Sequence, residues 1–177
     1  LAAAVAVALH LRLMTVARAS GMRRELGRSF RLVRISWAML CLSLAAALAV
    51  ALDAPLDGMP TLFGLLLVGG WLLTFLLGIL QRIVPFLASM HKPPGKAPPR
   101  TPSSLTDDRP LAIHFWCHLA ALLLLAIAVV FERAWIAQLA ALAGMAGAAA
   151  FGVFFVILLL RMRQPPAPRG AGDAPVA

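Results

Sequence analysis

The sequence predicts an all-α fold, a polytopic transmembrane helical bundle of about five spans, on three observations. Hydrophobic residues make up 62% of the chain, against roughly 45 to 50% in ordinary globular chains. They gather into runs at 1–16, 35–52, 61–80, 111–131 and 134–160, each near the length of about 20 residues that a helix needs to cross a ~30 Å hydrocarbon core. Of the 16 Lys and Arg residues, all except Arg133 fall on one side of the stacked runs, and cytoplasmic loops are the ones that retain positive charge. Transmembrane strands would alternate in hydrophobicity, and unbroken runs such as 122–130 do not.

The first span, 1–16, is short because the sequence opens at Leu1 inside an apolar run, with neither Met nor the basic segment of a signal peptide. This predicts a truncated chain with further helices of the same protein ahead of residue 1. The inner loop 17–34 carries six Arg and one Glu. Leu26, Phe30 and Val33 recur there at helical spacing while Arg24, Arg28 and Arg31 share another face, which predicts a short amphipathic helix on the bilayer surface. Spans 35–52 and 61–80 form a hairpin through the outer loop 53–60.

Apolar sequence continues beyond Gln81 and Arg82 through Ile83, Val84, Phe86 and Leu87. The expectation is a span ending near Leu80, with Arg82 reaching the inner headgroups and Pro85 bending an interfacial continuation. A longer helix would instead leave Arg82 within the membrane, as an anion or propionate contact. Pro93, Pro94, Pro98, Pro99 and Pro102 make the next inner loop, 91–109, an extended linker. Asp107 and Asp108 before Pro110 suit the positive end of the fourth helix.

Spans 111–131 and 134–160 form a second hairpin, the last long enough to tilt. Ala140, Gly144, Ala148 and Gly152 recur every four residues and predict a face for close helix packing. The membrane domain therefore covers 1–163, and the Pro-, Gly- and Ala-rich tail 164–177 should be disordered and cytoplasmic.

A net charge of +9 would suit nucleic acid, but the basic residues flank membrane-length runs and lack interleaved aromatics. The lipid bilayer, with anionic lipids at the basic loops, is the partner this pattern implies. Cys41 and Cys117 lie inside apolar runs and indicate no disulfide framework. Trp37 and Trp116 fall at the inner interface and Trp135 at the outer one, whereas Trp71 is mid-span after Gly69 and Gly70.

Four histidines, His10, His91, His114 and His118, map toward the cytoplasmic face. His114 and His118 are four residues apart and project from one helix face, with Cys117 beside them. Two such imidazoles can share a metal ion, and one can be an axial ligand of heme, while hydrogen bonding to a neighbouring helix is the structural alternative. A proton or substrate pathway is a further alternative for the pair, so the cofactor stays open, with heme or copper at His114 and His118 and a contact from Arg82 as its candidates. No phosphate-binding loop, zinc-protease motif, serine nucleophile signature or intramembrane carboxylate is present.

The third span, from Gly70-Trp71 through Gly78, Gln81 and Arg82 to Pro85, resembles one helix of the catalytic subunit I of heme-copper oxidases, in the branch nearest nitric oxide reductases. That helix has a Gly-Trp, a later Gly and then a Pro near its end. The resemblance covers about 20 residues. It implies a subunit-I-like redox protein, but family members carry histidine ligands shortly before the Gly-Trp, where this chain has Phe63 and Leu65. The ligands do not carry over.

Together these features predict a multi-pass protein of a bacterial inner membrane with a cytoplasmic C-terminus. Its activity stays unassigned between a redox or cofactor-handling role, a permease or transporter component, and a noncatalytic assembly subunit docking through the Ala140 to Gly152 stripe.

Overall fold

The structure, a computed structural model, describes residues 2–19, 27–53, 58–90 and 101–163, without the side chains of 2–4, 10, 11 and 17–19. Its regular elements are all helices: α1 (Ala2–Ala19), α2 (Arg28–Ala51), α3 (Met59–Met90), the single turn α4 (Pro102–Leu105), α5 (Asp108–Phe131) and α6 (Ala134–Arg163). The chain is an all-α bundle. Helices α2, α3, α5 and α6 are each long and apolar enough to cross a membrane, whereas the apolar part of α1, Val5–Val16, is shorter.

Its surface is that of a protein solvated by hydrocarbon. Leu48, Leu76, Phe86, Leu123, Leu142 and Val153 are all exposed, while the interior holds Ser36, Ser43, Thr74, Gln81, His114 and His118 beside small residues. Without a hydrophobic drive between helices, close packing and internal hydrogen bonds hold such a bundle together. Thr74 on α3 and His118 on α5 are joined in this way at 2.8 Å, while Ser36 and Ser43 satisfy their hydroxyls within α2, donating to the carbonyls of Val33 and Leu40 at 2.8 Å each.

Two of the boundaries differ from the sequence expectation. Helix α2 begins at Arg28, so the 28–34 part of the basic segment belongs to the membrane helix and is not a separate surface helix. The reason is register: buried Leu32 continues into buried Ser36, Leu40 and Ser43 on one face. Helix α3 does not end near Leu80 but runs without a break through Gln81, Arg82 and Pro85 to Met90. Pro85 lacks the N–H that would reach the Gln81 carbonyl. The helix survives because Thr74, Gly78, Gln81, Pro85 and Ala88 form a continuous buried face, closed by a core of Ala88, Leu105, Leu111, Phe154 and Leu158.

Between Leu65 and Leu73, α3 is π-helical. One wall of this widened segment meets α2, where a Cβ on Gly70 would stand 3.0 Å from Met39 Cβ. The other meets α5, where a Cβ on Gly69 would stand 3.1 Å from Leu122 Cδ2. Helix α3 is thereby the shared element between the hairpin α2–α3 and the hairpin α5–α6.

The helix ends are tied together by charge. Arg28 donates to the Asp108 carbonyl at 3.1 Å, and Arg161 pairs with Asp107 at 3.2 Å and donates to the Thr106 carbonyl at 2.9 Å. The starts of α2 and α5 and the end of α6 therefore share one basic end. Asp107 also caps α5 by accepting from the Arg109 N–H at 3.0 Å, as expected for a carboxylate at a helix N-terminus. At the opposite end, Glu132 takes a left-handed conformation, with φ at 51°, so that α5 and α6 are joined by a tight turn containing Arg133. Asp107→Ala is expected to lower stability by about 1–2 kcal/mol through loss of the cap, read as a fall in the melting temperature of the detergent-solubilised protein. Asp108→Ala, at an exposed carboxylate 3.9 Å from Arg28, should cost measurably less.

The four-residue stripe of α6 is only partly a packing face. Ala140 is buried and a Cβ on Gly144 would meet Ala121 at 3.8 Å, but Ala148 is exposed and a Cβ on Gly152 would meet nothing within 4 Å. A four-residue step overshoots one helical turn by about 40°, so the stripe rotates away from α5. Gly147 takes its place, with its Cβ position 3.2 Å from Cys117 Cβ. The tail 164–177, His91 and the rest of the 91–100 segment, and 54–57 of the outer loop lie outside the described residues.

Candidate functional site

The imidazoles of His114 and His118 stand where α3, α5 and α6 converge. Their four-residue spacing places both on the inward face of α5, with 3% and 9% of their surface exposed. Each is held by a different neighbour. His114 Nδ1 lies 3.0 Å from the Gly147 carbonyl on α6, and His118 Nε2 lies 2.8 Å from Thr74 Oγ1 on α3.

These contacts assign the tautomers. A carbonyl only accepts, so His114 Nδ1 carries the proton and, in the neutral ring, Nε2 carries a lone pair. Thr74 has one hydroxyl proton, which it gives to the Gly69 carbonyl at 3.0 Å. Thr74 Oγ1 must then accept from His118 Nε2–H. The Thr74 bond reaches five residues back, the spacing of the π-helical segment, so the widened turn sets the acceptor for His118. π-Helical turns are frequently found at functional sites.

His114 Nε2 is buried and has no hydrogen-bond partner. A buried acceptor left unpaired costs free energy, whereas a ligating histidine ordinarily donates its other N–H to a carbonyl or carboxylate. His114 has that arrangement. The two rings are stacked, with centroids 5.7 Å apart and planes 21° apart. Imidazole lone pairs lie in the ring plane, so nearly parallel, stacked rings do not converge on one ion at bonding distance. The pair offers two lone pairs, on His114 Nε2 and, because His118 Nε2–H is given to Thr74, on His118 Nδ1, in two rings that do not converge on one ion. Among the described residues no group of three or more His, Cys, Asp or Glu could hold a metal ion.

Both histidines line a cavity of about 510 Å³. Its walls are leucines from α3 and α5, including Leu73 and Leu122, and small residues from α6, including Ala140, Gly144 and Ala148. Phe151 closes one side, its ring centroid 4.8 Å from that of His114. Thus three of the four stripe residues read from sequence as a packing face line this slot.

Arg82 is not brought to the histidines. It projects from the other side of α3, its guanidinium 4.5 Å above the Phe30 ring, and lines a separate groove against α2 that shares no residue with the histidine slot. A propionate contact from Arg82 to a group on His114 is therefore not supported. His10 lies in α1 with its side chain outside the description. Sequence reasoning missed Thr74 and Gly147. Thr74 was signalled by the small and polar positions 74, 78, 81, 85 and 88 that interrupt a leucine-rich run at helical spacing.

Thr74→Val is expected to leave His118 Nε2–H without its acceptor and to cost about 1 kcal/mol, while Thr74→Ser should restore most of it. Unfolding of the solubilised protein in graded denaturing detergent checks both; equal losses would separate His118 from the hydroxyl. Comparison of the chain with family models, with curated proteins and with solved structures finds no match.

Proposed function

We propose that this is a redox or cofactor-handling protein of a bacterial inner membrane, binding heme through His114 Nε2 as an axial ligand. The observation that supports it is the buried, unpartnered Nε2 of a histidine whose other nitrogen is fixed on the Gly147 carbonyl, on the wall of an apolar slot. Copper or zinc sites use several converging protein donors, whereas the stacked rings of His114 and His118 do not converge on one ion, and no group of three or more donors stands among the described residues. Heme needs one axial imidazole and apolar walls. The short resemblance of α3 to a heme-copper oxidase helix points to the same chemistry.

Heme would supply one-electron chemistry. The chain's own residues orient and enclose it: the Gly147 carbonyl sets the His114 tautomer, the apolar walls keep water from the ligand nitrogen, and π-helical α3 holds the adjacent His118 ring through Thr74. Because Nε2 is buried, loading requires the slot to open around it. The basic end of the bundle faces the cytoplasm in this reading, with the C-terminus there and anionic lipids against the basic segments, since positive charge is retained on that side.

Titration of the detergent-purified, full-length protein with ferric heme tests the ligand assignment. Saturable binding with a histidine-ligated Soret spectrum is expected. Unsaturable partition with the spectrum of heme in empty micelles would contradict it.

A further inference from the structure

We propose that the groove between α2 and α3 is a binding site for an anionic phospholipid, with its phosphate between Arg34 and Arg82 and an acyl chain along the apolar floor. This rests on the membrane placement of the bundle and not on the heme reading. The groove has a volume of about 330 Å³ and is floored by Val33, Trp37, Phe75 and Ile79, with Met14 of α1 on its edge and both arginines in its lining. The two helices are drawn together below it at Gly78, where a Cβ would stand 3.0 Å from the Ser29 carbonyl oxygen and from Val33 Cγ2.

Arg82 is the residue that calls for a ligand. It is eight residues from the end of α3, about 12 Å along the axis, and past it Ile83, Phe86, Leu87 and Met90 are all exposed. Gly78, one turn before it, packs against Ser29 at the start of α2, so the charge lies at the basic end of the bundle, at the depth of lipid headgroups, with apolar surface continuing past it. The guanidinium lies over Phe30, in the first turn of α2. That contact leaves its edge donors open and points it at the same groove as Arg34. Among the described residues, the salt bridges use Arg28 and Arg161, and no carboxylate pairs with Arg34 or Arg82.

Two guanidinium groups match the oxygens of one phosphate diester by charge-assisted, bidentate hydrogen bonds. The floor matches the hydrocarbon chain attached to it. A zwitterionic lipid carries the same phosphate with its own cation beside it, so net-anionic headgroups should be selected by the two unpaired arginines.

Native mass spectrometry of the full-length protein released from bilayer discs of equal phosphatidylglycerol and phosphatidylcholine tests the site. The expected result is retained phosphatidylglycerol in preference to phosphatidylcholine, reduced at least tenfold by the double substitution Arg34→Gln, Arg82→Gln and unchanged by Arg163→Gln at the exposed end of α6. Millimolar inorganic phosphate should not displace it. Equal retention of both lipids by the unsubstituted protein would overturn the proposal, even if the double variant failed to insert. So would survival of the adduct in an inserted double variant, equal loss in Arg163→Gln, or displacement by inorganic phosphate.

Discussion

His114→Ala is expected to abolish specific heme binding, whereas His118→Ala should weaken it and leave the Soret band histidine-like. The asymmetry follows from the hydrogen bonds. His114 presents Nε2 with Nδ1–H fixed on Gly147, while His118 Nε2 is committed to Thr74 at 2.8 Å. His114→Ala also leaves a void the size of an imidazole beside Phe151 and His118, so added imidazole should enter it and restore the histidine-like Soret spectrum. Rescue separates a lost ligand from a lost fold. The reverse pattern, with loss in His118→Ala and retention in His114→Ala, would reassign the ligand.

The largest effect on stability is expected at Gly78. A Cβ there would already stand 3.0 Å from the Ser29 carbonyl oxygen, 3.0 Å from Val33 Cγ2 and 3.2 Å from Leu32 Cβ. Ser29 contributes backbone and Leu32 is fully buried, so neither can rotate away. Gly78→Leu must therefore force α2 from α3, at a cost of about 3 kcal/mol, the upper part of the usual range for overpacking. Gly152→Leu is the matched control: nothing lies within 4 Å of its Cβ position, and a change within about 0.5 kcal/mol is expected for an open surface position. Steric trapping or graded denaturing detergent would measure both. Similar losses at the two glycines would show that helix propensity, and not the α2–α3 contact, sets the effect.

The helical class and the four helices long and apolar enough to cross a membrane were legible because hydrocarbon thickness imposes a length on each run and leaves no alternative to helix. The ends were less so. Hydropathy falls at Gln81-Arg82 and suggests a stop, but a buried face at 74, 78, 81, 85 and 88 carries α3 onward, and that face is visible only once packing with Leu105 and Leu111 is known. At α2, the spacing of Leu26, Phe30 and Val33 against Arg24, Arg28 and Arg31 marked a surface helix within 17–34, yet Leu32 shares its register with Ser36 and Leu40.

The site shows the same division. Spacing alone brought His114 and His118 to one face of α5. Their separate roles depend on partners 44 and 33 residues away, Thr74 and Gly147, which no local pattern connects. Small-residue periodicity found Ala140 and Gly144 but not Gly147, because a repeat of four drifts across a helix of 3.6 residues per turn.

Heme and copper content of the full-length protein, purified from heme-replete membranes and assayed by pyridine hemochrome and metal analysis, tests the central claim most directly. The predicted result is heme in stoichiometric amount with the chain, without copper, and its absence from His114→Ala prepared in parallel. Protein that retains neither heme nor copper, or that holds heme equally well without His114, would contradict it.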